Sequence, residues 1–298
     1  MCSVLEVGFQ RSVECQRAYS SATEASGGRP GTSCETRLSR RNVYDRPVSL
    51  HITAQARYEF LNHLIRERLR PPAAIAELGA APGDQICAIA KAGFIATAVD
   101  IGIDSDGWAD NTAGRMQRLL DEHGVTFVEW DLDKVPYPLE DEAFDGVVFT
   151  EVFEHLRDYP VRSLQECARI LKPGGYLFFT TPNAGYVMNR LRLLRGRSVY
   201  TPMQDWIGGV PHARHAREYL FSEIDQAMRI AGLDVVLRTS RHFHLADKSR
   251  VRRQAKRTLD LLARTRNTLG PLIVMVAQKP ADPAHTDRIN HMRRPEEP

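Results

Sequence analysis

Glu77-Leu78-Gly79-Ala80-Ala81-Pro82-Gly83-Asp84 joins an apolar run to a helical pattern within a chain of 298 residues. The apolar run, Ala73–Leu78, predicts a short buried strand, and Asp84–Ala92 repeats its apolar residues at helical spacing. Gly79 and Gly83 allow a tight turn and a close approach of the main chain to a ligand. A strand, a glycine turn and a helix in this order predict the first unit of a parallel α/β sheet, with a ligand at the turn.

The same alternation continues along most of the chain. Further apolar runs predict strands at Ile95–Val99, Val125–Glu129, Gly146–Thr150, Tyr176–Thr181, Leu233–Arg238 and Leu272–Ala277. Helical spacing runs from Thr53 to Pro71 and recurs in the windows Ala113–Glu122, Val161–Leu171 and Ser222–Ala231. Strands that alternate with helices of this length form βαβ units. We therefore predict a doubly wound, seven-stranded, mostly parallel sheet of Rossmann-like α/β type, with helices on both faces.

The composition is that of a globular protein, with 43% hydrophobic and 26% charged residues. We predict one domain over residues 43–280, because residues 1–42 lack sustained periodicity and residues 281–298 are rich in Pro, Asp, Arg and Glu. These two ends are predicted to be a disordered extension and a flexible tail. No apolar run is long enough to cross a bilayer. Arg11, Glu14 and Arg17 interrupt the N-terminal stretch, so we expect no secretory signal there. The five cysteines show no paired spacing, which favours reduced thiols and a cytoplasmic location.

One segment departs from the low net charge of +3. Between Lys248 and Arg266 the chain has eight lysines and arginines against one acid, and the pattern predicts a basic amphipathic helix over residues 248–266. Contact with an anionic membrane surface is one interpretation, and a solvated helix that packs on the sheet is the other. A single basic segment on a mildly acidic body disfavours a nucleic-acid partner.

Two carboxylates follow the predicted strands next to the glycine turn. Asp100 ends the second strand, at the distance from the turn where a carboxylate binds ribose hydroxyls, and Asp131 follows the third strand. A dinucleotide fingerprint requires G-x-G-x-x-G, but the second and third glycine positions hold Ala81 and Asp84. A dehydrogenase is therefore disfavoured, and a nucleoside cofactor without a pyrophosphate fits better.

Several ordered motifs resemble those of class I S-adenosylmethionine-dependent methyltransferases. The turn after the first strand looks like their motif I. It is followed by Phe144-Asp145-Gly146-Val147-Val148-Phe149, Glu151-Val152-Phe153-Glu154-His155-Leu156, Leu171-Lys172-Pro173-Gly174-Gly175 and Thr180-Thr181-Pro182-Asn183. The set resembles the subgroup of ubiquinone-biosynthesis O-methyltransferases and of bacterial enzymes that methylate small molecules and glycans. The chain departs from the family at Ala81, where a glycine is usual.

The resemblance implies a role for each matched residue, with S-adenosylmethionine as the cofactor. Glu77, Gly79 and Gly83 would hold its methionine end, and Asp100 would bind the ribose. Asp131 would face the adenine amino group and the Leu132 main-chain N–H a ring nitrogen. The remaining cofactor contacts are assigned to the neighbouring residues Ala80, Ile101 and Thr150.

The chemistry at the methyl group is an in-line displacement that needs an aligned acceptor and, for a hydroxyl, a base. His155 is the predicted base, because an imidazole can accept the proton of a phenol or a sugar. The alternative is a histidine at a helix start that binds Glu151 or Glu154 for structural reasons.

A metal-assisted variant of this chemistry also fits the pattern. Glu151, Glu154 and His155, joined by His212 and His215, include ligand types that bind Mg²⁺ or Mn²⁺. This arrangement resembles the small-RNA 3′-terminal 2′-O-methyltransferases. In the ordinary subgroup the same residues occur and His215 shapes the substrate pocket. We assign no resident metal from the sequence and leave a divalent site at these residues open.

The acceptor region is predicted at residues 184–216, a long segment with glycines, aromatic residues and four arginines. Such an insertion forms a lid or an acceptor pocket, whose arginines bind phosphate or carboxylate, or it is a solvated helix. The leading hypothesis is a methyltransferase that acts on an oxygen of a small-molecule, glycan or lipid-linked acceptor. The alternatives are a metal-assisted RNA 2′-O-methyltransferase and a methyltransferase-like binding subunit without turnover.

Overall fold

A computed structural model describes residues 49–101, 112–158, 160–200, 214–243 and 268–282. All of them belong to the compact unit Arg46–Pro298. Several predictions fall outside the described residues. They are the extension 1–42, the basic helix 248–266, almost all of the tail 281–298, part of the acceptor region and His212.

The described elements alternate as the hydrophobic pattern predicts. The helices are α1 (Ser49–Arg68), α2 (Asp84–Lys91), α3 (Thr112–Glu122), α4 (Pro160–Ile170), α5 (Val187–Leu194) and α6 (Phe221–Ile230). The strands are β1 (Ala74–Leu78), β2 (Ile95–Asp100), β3 (Thr126–Glu129), β4 (Phe144–Thr150), β5 (Leu171–Pro182), β6 (Asp234–Arg241) and β7 (Leu272–Gln278).

The seven strands form one sheet in the order β3-β2-β1-β4-β5-β7-β6. The pairs from β3 to β5 are parallel, whereas β7 runs antiparallel to both β5 and β6. This arrangement confirms the predicted mostly parallel, doubly wound sheet. The strand order reverses between β1 and β4, and the crevice of such a sheet lies at that point, outside the carboxyl ends of the strands.

Two strands start earlier than the alternation predicts. β4 begins at Phe144 and β5 at Leu171, and these two residues pair with each other before a register shift. The motif segment Lys172–Gly175, which precedes the strand predicted at Tyr176, is therefore an irregular part of β5. It is held by reciprocal main-chain hydrogen bonds, from Gly174 N–H to Lys279 O and from Lys279 N–H to Gly175 O, each 2.9 Å long. The periodicity missed this part because an irregular strand does not alternate.

Helices bury apolar side chains on both faces of the sheet. One cluster joins the sheet to α4 and α6 and includes Leu164, Cys167, Ile224 and Met228. The other joins it to α1, α2 and α3 and includes Ile65, Ile86, Ile89 and Leu120. Because both faces are covered, the central strands are apolar along their whole length, as in β7, whose first six residues are all buried. Among the described residues no helix is both long and apolar enough to cross a membrane.

Asn183, directly after β5, ties that strand to the segment that precedes β7. It is 2% exposed, and its amide nitrogen donates to the main-chain oxygens of Thr268 (2.9 Å) and Gly270 (2.6 Å). Its amide oxygen accepts from Gly185 N–H at 2.9 Å. Asn183 therefore fixes the carboxyl end of β5, next to the acceptor region.

We expect Asn183→Ala to lower the free energy of unfolding by about 3 kcal/mol, because it leaves several buried main-chain groups without partners. Urea unfolding followed by circular dichroism measures the change. Asn189→Ala is the matched control, since Asn189 is also buried but makes one long side-chain bond, of 3.5 Å, to Asn183 O. Equal losses in the two variants would contradict the role assigned to Asn183.

Candidate active site

The carboxyl ends of β1, β2 and β4 meet at the reversal of the strand order. Leu78 pairs with Val99 on one side and with Phe149 on the other, so the residues that follow each strand are neighbours. Asp100 pairs with Glu129 of β3, and Trp130 N–H donates to Asp100 O at 2.7 Å. The sheet therefore brings the four predicted ligand-bearing loops to one edge.

The glycine turn after β1 has the tight geometry that its sequence predicts. Gly79 and Gly83 have φ angles of 78° and 93°, in the left-handed region that favours glycine. A Cβ on Gly79 would lie 2.2 Å from Val152 Cγ2, so the loop after β4 packs directly on this turn. Ala81 is not among the described non-glycine residues with positive φ, which explains why alanine is accommodated where the family usually has glycine.

Asp100 supports the same turn from β2. Its Oδ2 accepts a hydrogen bond from Ala81 N–H at 2.8 Å, and Ala80 N–H donates to Val99 O at 3.3 Å. A carboxylate that binds the glycine turn is placed at the edge where a nucleoside sugar lies in this class of sheet. The structure thus joins the two predicted cofactor-binding elements.

We expect Asp100→Ala to reduce the affinity for S-adenosylhomocysteine roughly 100-fold, since charged hydrogen bonds to a ribose contribute about 1.5–3 kcal/mol each. Calorimetric titration, with NAD as a parallel ligand, measures the effect, and the exposed Asp121→Ala on α3 serves as the control. Unchanged affinity in a folded Asp100→Ala protein would refute the ribose assignment, and tighter binding of NAD would refute the cofactor.

The other predicted cofactor residues lie along the same edge. Asp131 follows β3 with 40% of its side chain exposed, and Lys134 Nζ lies 3.5 Å from its Oδ2. Leu132 is 7% exposed, whereas Ile101 is half-buried directly after Asp100. Thr150, which is 6% exposed, ends β4 opposite Thr180. Ala80 is 2% exposed within the glycine turn. Their contacts with a cofactor stay predictions.

Glu77 is a buried carboxyl group near the carboxyl end of β1. It is 3% exposed, and its Oε2 has no hydrogen-bond partner among the described residues. Burial raises the pKa of Glu77 well above its usual range, and the guanidinium of Arg57 opposes this shift. A cationic ligand group would supply the missing partner and would favour the charged form of the carboxyl.

Arg57 is a site residue that the sequence analysis missed. It lies on α1, its Nη1 is 3.4 Å from Glu151 Oε2, and its Nε is buried without a hydrogen-bond partner among the described residues. Its charge also opposes the raised pKa values of Glu77 and Glu154. No local pattern identifies this residue, because it is separated from Glu151 by more than 90 positions and lies in an ordinary helical repeat.

Two acidic residues follow β4 and are held by hydroxyl groups of β5. Thr180 Oγ1 donates to Glu151 Oε1 at 2.8 Å, and Thr181 Oγ1 donates to Glu154 Oε2 at 3.0 Å. Glu151 has a φ angle of 57°, a strained conformation that is often found at active sites. Burial raises the pKa of both carboxyl groups, and repulsion from Glu151 adds to the shift of Glu154, which is 1% exposed.

His155 and His215 complete the group. Their rings pack edge to face with centroids 5.0 Å apart, although they come from different segments of the chain. His155 Nε2 lies 3.9 Å from Glu154 Oε1. Glu154 O accepts from Ala216 N–H at 2.6 Å, which holds the segment that carries His215 against the loop after β4. The structure therefore brings Glu151, Glu154, His155 and His215 together, as the sequence pattern suggests.

Comparisons with known proteins identify a domain over this part of the chain. Residues 76–179 match the family Methyltransf_11, described as a methyltransferase domain. This span runs from β1 into β5 and includes the glycine turn, Asp100 and the loop after β4. A chain in the complex between the Haloferax volcanii Trm112 methyltransferase activator and its methyltransferase is 20% identical and superposes with a TM-score of 0.52. The superposition covers 77% of this chain and 96% of that one, and it shows a shared fold.

This protein is a class I S-adenosylmethionine-dependent methyltransferase, with S-adenosylmethionine as its methyl donor. A ubiquinone biosynthesis O-methyltransferase from Coxiella burnetii is 26% identical over 195 residues, which make up 65% of this chain and 76% of that protein. A second one, from Paracidovorax citrulli, is 35% identical over 96 residues, or 32% of this chain and 37% of that protein. These matches favour neither the RNA methyltransferase nor the non-catalytic alternative.

The charges of the site fit this methyl donor. Glu77 and Asp100 line the edge together with Glu151 and Glu154, and Arg57 is the cation that pairs with this group. S-adenosylmethionine carries an ammonium and a sulfonium against one carboxylate, so a mostly acidic pocket complements it. A pyrophosphate cofactor would instead be repelled by these carboxylates.

Proposed function

We propose that this enzyme methylates a hydroxyl oxygen, and that the acceptor binds beside Glu154, His155 and His215. The observation that carries the proposal is the packing of Val152 on Gly79, which places the loop of Glu154 and His155 against the cofactor turn. A side chain that removes a proton from the acceptor must lie at this junction. When bound, the cofactor supplies an activated methyl group.

Different residues of this chain would bind different parts of the cofactor. Glu77 would bind the ammonium group with its Oε2, which has no hydrogen-bond partner among the described residues, and Arg57 would bind the carboxylate with its guanidinium, whose Nε is buried. Asp100 would bind the ribose, and Asp131 with the Leu132 N–H would bind the adenine. Gly79, Ala80, Gly83, Ile101 and Thr150 would line the path between these groups.

His155 would take the proton of the acceptor. Its Nδ1 lies 3.0 Å from Arg214 O, and a carbonyl oxygen only accepts, so Nδ1 carries the hydrogen and Nε2 carries the lone pair. Nε2 lies on the side of Glu154, towards the site. The main-chain hydrogen bond thus sets the tautomer that a general base needs.

The acceptor is proposed to be a phenolic small molecule, a glycan or a lipid-linked precursor, and the enzyme to work in the cytoplasm. The names of the two relatives support oxygen as the methylated atom. The described part of the acceptor region supports an anionic group on the acceptor, because Arg192, Arg195 and Arg197 are exposed on and after α5.

Incubation with S-adenosylmethionine labelled in its methyl group tests this function. The acceptor panel contains ortho-diphenols, hexose glycans and polyprenyl-linked sugars, with primary and secondary amines as controls. We expect a methyl ether on one hydroxyl class, identified by mass spectrometry and by the carbon shift of the labelled methyl. Label that appears only on nitrogen or on carbon would overturn the proposal.

A further inference from the structure

Glu151 is fixed in place by its contacts with β5. Its Oε1 accepts a hydrogen bond at 2.8 Å from Oγ1 of Thr180, a fully buried residue of that strand. The Glu151 N–H donates to Thr180 O at 3.0 Å, so the same residue of β5 binds both the main chain and the side chain. A non-glycine residue keeps a φ angle of 57° only where its surroundings hold it there. The carboxylate therefore has a defined position directly after β4.

The second oxygen of this carboxylate contacts α1. Glu151 Oε2 lies 3.4 Å from Arg57 Nη1, and in the part of the chain that the structure describes Glu151 is the carboxylate that pairs with Arg57. The guanidinium carbon of Arg57 also lies 5.4 Å from the centroid of the Tyr58 ring. Thr180, Glu151 and Arg57 thus form a line of contacts that runs from β5 to α1 at the carboxyl edge of the sheet.

This pairing leaves one edge of the Arg57 guanidinium for a ligand. In a planar guanidinium the Nε–H and one N–H of Nη2 point in the same direction, and a carboxylate can bind both through parallel hydrogen bonds. Glu151 contacts Nη1 and does not occupy this edge, and Nε is buried without a hydrogen-bond partner among the described residues. The arrangement fits a second carboxylate, supplied by a ligand.

Glu77 provides the complementary acceptor. Its Oε2 is also buried without a hydrogen-bond partner among the described residues, and Arg57 opposes the upward shift of the Glu77 pKa, so the two groups are close enough to interact. A donor edge and a carboxylate oxygen that both lack partners fit a carboxylate and an ammonium group on one carbon atom. The methyl donor carries this pair of charges at its amino-acid end.

We propose that Glu151 and Thr180 are positioning residues for the methyl donor, and that they hold the guanidinium of Arg57 so that its Nε and Nη2 bind the cofactor carboxylate. This inference rests on the proposed function, which assigns that carboxylate to Arg57. A long arginine side chain loses rotamer freedom when it binds a ligand, and an ion pair formed beforehand reduces this cost. Glu151 then serves the cofactor side of the site, and His155 keeps its role as the base.

Two methyl donors that differ by one carboxylate, S-adenosylmethionine and its decarboxylated analogue, test the proposal by titration calorimetry. We expect Glu151→Gln to weaken binding of S-adenosylmethionine about 10-fold and to change binding of the analogue by less than about 2-fold. Thr180→Val should weaken binding of S-adenosylmethionine about 3-fold, because Glu151 loses one hydrogen bond. In an Arg57→Met background, Glu151→Gln should have no further effect, since it acts through Arg57.

Thr181→Val is the matched control. Thr181 is also fully buried on β5, but its Oγ1 donates to Glu154 Oε2, at 3.0 Å, and not to Glu151. This variant should bind both donors as the parent protein does. Thermal unfolding establishes that each variant is folded, and Thr180→Val decides the question if Glu151→Gln is unstable. An equal loss for both donors, or unchanged or tighter binding of S-adenosylmethionine in Glu151→Gln, would overturn the inference, as would a further loss in the Arg57→Met background.

The failure of this inference is distinguishable from that of the proposed function. A methyl ether formed by the parent protein, with unchanged donor affinity in Glu151→Gln, would leave the proposed function in place and remove the positioning role. A selective loss of affinity in Glu151→Gln, with the methyl group found on nitrogen, would support the positioning role and refute oxygen as the methylated atom. Unchanged affinity in Arg57→Met alone would refute both the assignment of the carboxylate to Arg57 and this inference.

Discussion

His155→Ala is expected to lower methyl transfer by about 10²- to 10⁴-fold while the affinity for S-adenosylhomocysteine stays within a factor of about three of that of the parent protein. The imidazole lies on the acceptor side of the site, where its Nδ1 binds Arg214 O and its Nε2 faces Glu154. It makes none of the proposed cofactor contacts. Initial rates with a labelled methyl donor and calorimetric titration of the product give the two quantities.

His123→Ala is the control for this prediction, because His123, directly after α3, also places Nδ1 next to a main-chain oxygen, that of Leu119, at 2.7 Å. Its rate should equal that of the parent protein. A His155→Ala protein that keeps its rate would show that the imidazole is structural, and a protein that loses product affinity together with the rate would place His155 in the cofactor site. A selective loss of rate supports the role of His155 in removing the proton of the acceptor.

Gly79→Ala is expected to lower the affinity for S-adenosylhomocysteine more than 10-fold. The φ angle of 78° strains an alanine by about 1 kcal/mol, and the added Cβ would lie 2.2 Å from Val152 Cγ2. The glycine turn and the loop after β4 must move apart to relieve the clash. Since both carry proposed site residues, cofactor binding and methyl transfer should fall together.

Gly174→Ala separates backbone strain from the clash. Gly174 has a φ angle of 82°, and an added Cβ would meet nothing within 4 Å, so this variant carries a similar strain without a collision. We expect it to be slightly less stable and to bind the cofactor as the parent does. The double variant Gly79→Ala, Val152→Ala removes the colliding methyl group and should recover part of the affinity. Equal losses in Gly79→Ala and Gly174→Ala would show that strain alone explains the effect.

Most of the fold could be predicted from local patterns. The alternation of apolar residues places each of the seven strands within a few residues, because the face of a strand or helix that is buried depends on neighbouring positions. The errors are at the starts of β4 and β5, where Phe144 and Leu171 pair before a register shift. That pairing depends on a contact between distant segments, which periodicity does not contain.

The proximity of the predicted cofactor residues also followed from local sequence, although their contacts with a cofactor stay predictions. Glu77 and Asp100 lie at the ends of β1 and β2, Gly79 and Gly83 lie in the turn after β1, and the described structure brings all four to one edge. The conformations of Gly79 and Gly83 agree with their residue type. This part needed no long-range information, because each loop follows its own strand and parallel strands end on the same side.

The sequence alone therefore determined the order of the strands and helices along the chain, and it predicted the edge of the sheet where the cofactor is proposed to bind and the candidates Glu154 and His155. Only the folded chain could show that Arg57 reaches Glu151 and that Glu218 orients His215. It also showed that Val152 packs on Gly79. Periodicity and motif spacing report the local conformation of a segment. A contact between residues far apart in the chain depends on how the segments pack, and the chemistry of this site arises from such contacts.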